Sequence, residues 1–174
     1  MLTHHLQLGD LHNKEHFLKH CEIVEYLLQR KDVQHPAVKH HIRGAIREAS
    51  NHASSGPGYD SKIGAQYMSV KARDKMQEGN FRDLIGEHIV PVSTLNEIIL
   101  TNKNPKQDRI AKILLRFGAR AVITNEEHES LKKHELSKNM PSNWNSKNIF
   151  ERYRIVGIRL EQNRYSEFKK LHSK

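Results

Sequence analysis

The segment LIGEHIVPV, residues 84–92, is short, apolar and rich in β-branched residues. This composition is typical of a β-strand, and Pro91 ends it because proline cannot donate to the ladder of a sheet. A second short strand is predicted at RAVIT, residues 120–124. The helical segment NEEHESLKKHEL follows at once, and Thr124 with Glu127 has the spacing of a capping box. The sequence therefore predicts a strand, a connecting segment, a second strand and a helix, in that order.

The segments around these strands have helical periodicity. Apolar residues recur every three or four positions between Asn13 and Asp32, and again after Pro36, so the N-terminal part is predicted to be a helical hairpin. In the segment that connects the two strands, TLNEIIL is predicted to be a short helix, and a further helix is predicted from Asn104-Pro105 to Phe117. We expect an α+β protein that is predominantly helical, with a small ββα core and an N-terminal helical hairpin.

The loop-like segment SNHASSGPG, residues 50–58, suggests a boundary within the chain. It divides an N-terminal helical hairpin, residues 1–58, from a second domain, residues 59–174. A third helix is predicted to begin at Asp60 or Ser61 and to end near Gly79. For IFERYRIVGIRL the pattern leaves two readings open, a helix that ends at Gly157 or an edge strand over its last residues.

Composition excludes several classes of protein. No apolar run approaches the roughly 18 residues that a membrane span needs, and Cys21 is the only cysteine, which excludes a disulfide scaffold. The first residues, MLTHHLQLGD, contain neither the basic nor the apolar region of a signal peptide. The expectation is a cytoplasmic protein without a membrane partner.

Positive charge is concentrated in the second domain. The chain has a formal net charge of +9, and residues 59–174 contain 22 basic and 14 acidic residues against 7 and 6 in residues 1–58. A basic surface of this kind attracts a polyanion, most often a nucleic acid. A basic surface without a nucleic-acid partner is the simpler alternative.

Histidines are abundant in the N-terminal part. His12, His16 and His20 recur every four residues and form one stripe on a helix. Three imidazoles on one face could bind a transition metal, but no cysteine or acidic residue completes a known motif there. A solvated helix face is the expected role of this stripe.

The residues most suggestive of chemistry are EHIVP, residues 87–91, on the first strand and His128 on the helix after the second strand. At these positions the chain resembles the HNH nuclease superfamily, in particular HNH-type proteins of bacteria that lack structural cysteines. The signature of that superfamily begins with an acidic residue, histidine, two apolar residues and often proline, and it ends with a histidine on a helix. The resemblance covers roughly residues 84–134.

The resemblance implies a ββα-metal fold and an endonuclease that hydrolyses phosphodiester bonds in DNA, or less readily in RNA. His88 would be the general base, since a neutral imidazole can accept a proton from water near pH 7. Glu87 and His128 would bind one divalent metal ion, Mg²⁺, Mn²⁺, Ni²⁺ or Zn²⁺, which acts as a Lewis acid at phosphate. Asn96, Glu127 and His134 are weaker candidates for the site.

Two other functions agree with the same sequence. The superfamily places an asparagine just before the second strand, whereas this chain has Phe117-Gly118-Ala119-Arg120 there. A non-catalytic nucleic-acid-binding or regulatory protein with a degenerate ββα site is therefore the main alternative. The third is a helical interaction module that forms a homodimer through the N-terminal helices, residues 13–49.

Overall fold

A computed structural model describes residues 4, 6–54 and 64–164. A 3₁₀ turn at Leu8–Asp10 precedes the regular elements. In chain order these are α1 (Lys14–Leu28), α2 (Pro36–Ser54), β1 (Tyr67–Ser69), α3 (Val70–Gln77), β2 (Leu84–His88), α4 (Val92–Leu100), α5 (Gln107–Phe117), β3 (Arg120–Thr124), α6 (Asn125–Lys133), α7 (Glu151–Ile155) and β4 (Leu160–Gln162). The prediction of a predominantly helical α+β protein is confirmed.

The four strands form one mixed sheet with the order β2-β3-β1-β4. Strand β3 is antiparallel to β2 and parallel to β1, and β4 pairs antiparallel with β1 at the far edge. Strand β2 is therefore an edge strand of the sheet. The antiparallel pair β2–β3 leads directly into α6, so the predicted order of two strands and a helix is present.

One hydrophobic core joins the N-terminal hairpin to the rest of the chain. Phe17, Cys21 and Val24 of α1 are completely buried, as is Ile46 of α2. These side chains belong to the same cluster as the apolar faces of α4 and α5, such as Leu114, and one face of the sheet. The α1–α2 hairpin therefore packs as part of the core that also supports the β2–β3 strands.

The predicted third helix is wrong at residues 67–69, while its predicted start, Asp60 or Ser61, lies outside the described residues. Residues Tyr67–Ser69 form β1 instead, and the helix begins only at Val70. The helical spacing of Ile63, Tyr67 and Val70 misled the prediction, because Tyr67 lies in a strand between β3 and β4. The hydroxyl of Ser69 then accepts a hydrogen bond from the amide of Ala72 and caps α3.

Smaller differences concern the ends of elements. Helix α2 continues to Ser54, into the predicted loop 50–58, because Ala49 and Ala53 extend its buried stripe; residues 55–63 lie outside the described ranges. Helix α4 begins at Val92 and lacks a side-chain cap, so its predicted first turn was two residues late. Both readings of the segment after Ile149 apply in part, because Gly157, with φ of 72°, separates α7 from β4.

None of the helices in the described ranges has the length and apolar character needed to cross a membrane.

The histidine stripe of α1 is partly packed against α2. The ring of His52 on α2 stacks on His16 with a centroid distance of 5.3 Å and on His20 with a distance of 5.4 Å. Burial lowers the pKa of both His20 and His52, and only part of this effect is opposed by the carboxylate of Glu48. His16 and His20 of the stripe therefore contribute to the packing of α1 against α2.

We expect acid to destabilise this hairpin. The folded-state pKa values of His20 and His52 lie below the value of about 6.5 in the unfolded chain. The unfolded state therefore binds more protons, and stability falls as the pH drops below about 6.5. Urea unfolding at about pH 8 and about pH 5.5 should show this loss of stability. The His52→Gln variant should lose less stability on acidification than the control His12→Gln, because His12 is exposed. An unchanged pH dependence in H52Q would contradict the expectation.

Candidate functional site

Glu87 and His128, the two predicted metal ligands, lie side by side. Glu87 is near the end of β2, and His128 is in the first turns of α6. Oε1 of Glu87 is 2.8 Å from Nδ1 of His128, and their side chains are only 14% and 18% exposed. The Nδ1 atom is shielded from solvent and its contacts do not have hydrogen-bond geometry. The antiparallel pairing of β2 with β3 brings these residues together because α6 begins directly after β3.

The local sequence explains the position of His128. The hydroxyl of Thr124 accepts a hydrogen bond from the amide of Glu127, and the Glu127 carboxylate accepts one from the amide of Thr124. This capping box starts α6 at the last residue of β3, as the sequence predicted. His128 consequently lies within one turn of the strand and next to β2.

The other oxygen of Glu87 is bound by Arg152 of α7, which is completely buried. Nη2 of Arg152 is 2.9 Å from Oε2 of Glu87 and also donates to the carbonyl of His88. Nε donates to the carbonyl of Ile89 at 2.9 Å, and Nη1 donates to that of Leu136 at 2.7 Å. Arg152 therefore holds both the Glu87 carboxylate and the open edge of β2.

Sequence analysis did not assign a role to Arg152. Its acceptors are distant in the chain, since Glu87 is 65 positions away and Leu136 is 16 positions away. No local pattern distinguishes it from Arg154, which is exposed and pairs with Glu151 on its own helix. The difference between the two arginines arises only from the packing of α7 against β2, which buries Arg152 and leaves Arg154 exposed.

His88 has different surroundings from Glu87. Successive side chains of a strand point to opposite faces, and His88 lies directly opposite Arg120 on β3. Its ring also contacts the backbone of Arg47 on α2, and Nε2 is shielded from solvent without a hydrogen-bond partner. Burial, together with the charges of Arg120 and Arg47, lowers the pKa of His88 to about 3. The imidazole is therefore neutral at pH 7.

The weaker candidates occupy separate positions. Oε2 of Glu127 accepts hydrogen bonds from the Thr124 amide and, at 2.5 Å, from the Ser69 hydroxyl, so this carboxylate caps α6. Asn96 is buried on α4. His134 lies at the C-terminal end of α6, is exposed, and its Nδ1 is 2.9 Å from the carbonyl of Ser130. Among the described residues, no hydrogen bond or ion pair is seen between any of the three side chains and the Glu87–His128 pair.

The donor atoms of Glu87 and His128 are compatible with a divalent cation. A carboxylate oxygen and an unprotonated imidazole nitrogen repel each other at 2.8 Å unless a proton or a metal ion lies between them. Within the described ranges, no group of three or more histidine, cysteine or acidic side chains is arranged to hold a metal. A cation here would have two protein ligands and would need water and phosphate for the rest, as Mg²⁺ often does.

Comparison with family models, with curated proteins and with solved structures gives no match for this chain.

Proposed function

We propose that this protein is a metal-dependent HNH-type endonuclease that hydrolyses phosphodiester bonds in DNA, in the cytoplasm. The observation that supports this proposal most directly is the 2.8 Å approach of Glu87 Oε1 to His128 Nδ1. These two residues are 41 positions apart, and the resemblance to HNH nucleases names both as metal ligands. The net charge of +9 favours a nucleic acid as the substrate.

In this proposal each residue of the site has one task. Glu87 and His128 would hold one divalent cation, which would supply Lewis-acid stabilisation of the charge on the phosphate oxygens. Arg152 fixes the Glu87 carboxylate through its Oε2 and leaves Oε1 directed at His128. The resemblance assigns the proton of the attacking water to His88, whose ring is neutral at pH 7 and, with a pKa of about 3, is a weak base.

A non-catalytic nucleic-acid-binding protein is the second candidate, and two observations favour it. The guanidinium of Arg152 already neutralises Glu87, which lowers the attraction of this carboxylate for a cation. The ring of His88 lies among arginines on the other face of β2 rather than beside His128. This candidate predicts salt-sensitive binding of DNA and no cleavage with any divalent ion.

Nicking of supercoiled plasmid DNA decides between the two functions. The protein is incubated in EDTA and then with Mg²⁺, Mn²⁺, Ni²⁺ or Zn²⁺, and binding of a labelled oligonucleotide is measured in parallel. The proposal requires nicking with at least one of these ions and none in EDTA. Binding without nicking in all four metals would refute the nuclease and leave the binding protein.

We expect Glu87→Gln to reduce metal-dependent nicking by about 10- to 100-fold, since a metal contributes several kcal/mol to phosphoryl transfer. The amide keeps the volume of the side chain but removes the charge that attracts the cation. Glu129→Gln is the matched control, because Glu129 is an exposed residue next to His128 that pairs with Lys132. Equal nicking rates in the two variants would exclude Glu87 as a ligand.

A further inference from the structure

The solvent-facing side of α5 carries a row of positive charge. Arg109, Lys112 and Arg116 follow one another at helical spacings of three and four residues, and all three are exposed. The opposite side of the helix is apolar and buried in the core. Asp108, in the first turn, is the one acidic residue in the sequence of this helix. Arg109, Lys112 and Arg116 are called the α5 row below.

The charges of the α5 row are not neutralised by carboxylates. Among the described residues, no ion pair is seen at any of its three members. Other exposed cations do have acidic partners, since Lys19, Lys71 and Lys132 each pair with a glutamate at distances from 2.6 to 3.1 Å. The α5 row therefore keeps its full charge available for an anionic partner.

Neutral oxygen atoms position the two arginines of the α5 row. Nη2 of Arg116 donates to the carbonyl of Ser146 at 3.0 Å, and Cζ lies 4.8 Å from the centroid of the Phe117 ring. Nε of Arg109 donates to Oδ1 of Asn102 at 3.4 Å. A guanidinium has five N–H donors, so these single hydrogen bonds leave most of them available for an oxyanion. Both guanidinium groups are thus held in place without losing their charge.

Helix α5 leads directly into the strand that pairs with Glu87. Gly118 and Ala119 connect α5 to β3, and Ala121 of β3 is directly opposite Glu87. Residues opposite each other point to the same face of a sheet, and Ala121 belongs to the same hydrophobic cluster as Leu114 of α5. A ligand of the α5 row and a substrate at Glu87 would therefore lie on the same side of the sheet.

The length of the α5 row suits a phosphodiester backbone. Arg109 and Arg116 are seven residues apart, or about 10 Å along the helix axis at about 1.5 Å per residue. Phosphates of one DNA strand recur about every 3.4 Å along the duplex axis, so the row is as long as about three of them. An anionic membrane fits less well, because a membrane-binding helix exposes large apolar residues, whereas Ile110, Ile113 and Phe117 are buried.

We propose that the α5 row binds the phosphate backbone of DNA. The identity of the polyanion rests on the proposed function, whereas the attraction for an anion follows from the exposed and unneutralised charges. The positive charge that the sequence places in the second domain would thus act through one helix of that domain.

The test is the affinity for a fluorescein-labelled duplex oligodeoxynucleotide, measured by anisotropy in EDTA so that cleavage cannot occur. Arg109→Gln, Lys112→Gln and Arg116→Gln combined should weaken binding at least about 100-fold and lower the salt slope by about three, since each phosphate contact adds about 0.9 to that slope. Lys112→Gln alone should weaken binding about three- to tenfold. No hydrogen bond of Lys112 is seen among the described residues, so this single variant should keep the fold.

The matched control combines Lys19→Gln, Lys71→Gln and Lys132→Gln. It removes the same three positive charges from exposed positions, but each of these lysines is already paired with a glutamate. We expect its affinity to change less than about threefold and its salt slope by less than about one. Urea unfolding checks that both triple variants are folded. Equal losses of affinity in the two would overturn the proposal, because binding would then follow net charge and not the α5 row.

Anionic lipid is the other polyanionic surface that a basic helix can bind. Vesicles that contain phosphatidylserine should bind the wild-type protein and Lys112→Gln alike. Vesicle binding that depends on Lys112, with oligonucleotide affinity that does not, would overturn the proposal in favour of a membrane.

Plasmid nicking is an independent result, because oligonucleotide affinity is measured in EDTA. Nicking by a protein whose two triple variants bind the oligonucleotide equally well would refute the α5 row alone. Affinity that depends on the α5 row, without nicking in any metal, would refute the nuclease alone.

Discussion

Replacing Arg152 with methionine is expected to destabilise the fold by about 3–5 kcal/mol, the usual effect of breaking a buried ion pair from one side. The Arg152 side chain is completely buried and bonds the Glu87 carboxylate together with the carbonyls of Ile89 and Leu136. Methionine fills a similar volume but donates no hydrogen bond. Oε2 of Glu87 and both carbonyls would then lose the donor that Arg152 supplies while shielded from water.

The measurement is the free energy of unfolding from urea titration at neutral pH. Arg154→Met is the matched control, because Arg154 lies two residues later, is 68% exposed and bonds only Glu151 in the structure described here. An exposed pair of this kind contributes at most about 1 kcal/mol. Similar losses in the two variants would show that Arg152 does not organise the end of β2.

The elements that sequence reasoning predicted well are those with a strong local signal. Strand β3 and the start of α6 were predicted at the correct residues, because an apolar β-branched run meets a capping box at Thr124 and Glu127. The buried stripe of α1, with Phe17, Cys21 and Val24, also follows from helical period alone. In each case the neighbouring residues in the chain carry the information.

The candidate site was predictable only in part, for the same reason. A known motif gave Glu87 and His128, and strand order explains why they meet. Arg152 and Arg47 reach the site through the packing of α7 and α2, which the local sequence does not encode. The face of β2 on which His88 lies also depends on the pairing with Arg120, and this pairing separates His88 from the Glu87–His128 pair.

We expect His88→Ala to reduce the rate of metal-dependent nicking by about 10²- to 10⁴-fold, the range for loss of a general base. The substitution removes the only proton acceptor that the proposed mechanism assigns. His88 is uncharged at pH 7 and lies on the face of β2 opposite Glu87, so oligonucleotide affinity should fall by no more than about tenfold. The effect should therefore appear mainly in kcat.

His134→Ala is the control for this experiment, since His134 is exposed at the end of α6 and bonds only the carbonyl of Ser130 among the described residues. Thermal unfolding of both variants separates a catalytic loss from a folding defect. Undiminished nicking by folded His88→Ala would remove the assigned base. A kcat loss with nearly normal binding would require the substrate to contact both faces of β2, because Glu87 and His88 are adjacent residues of this edge strand.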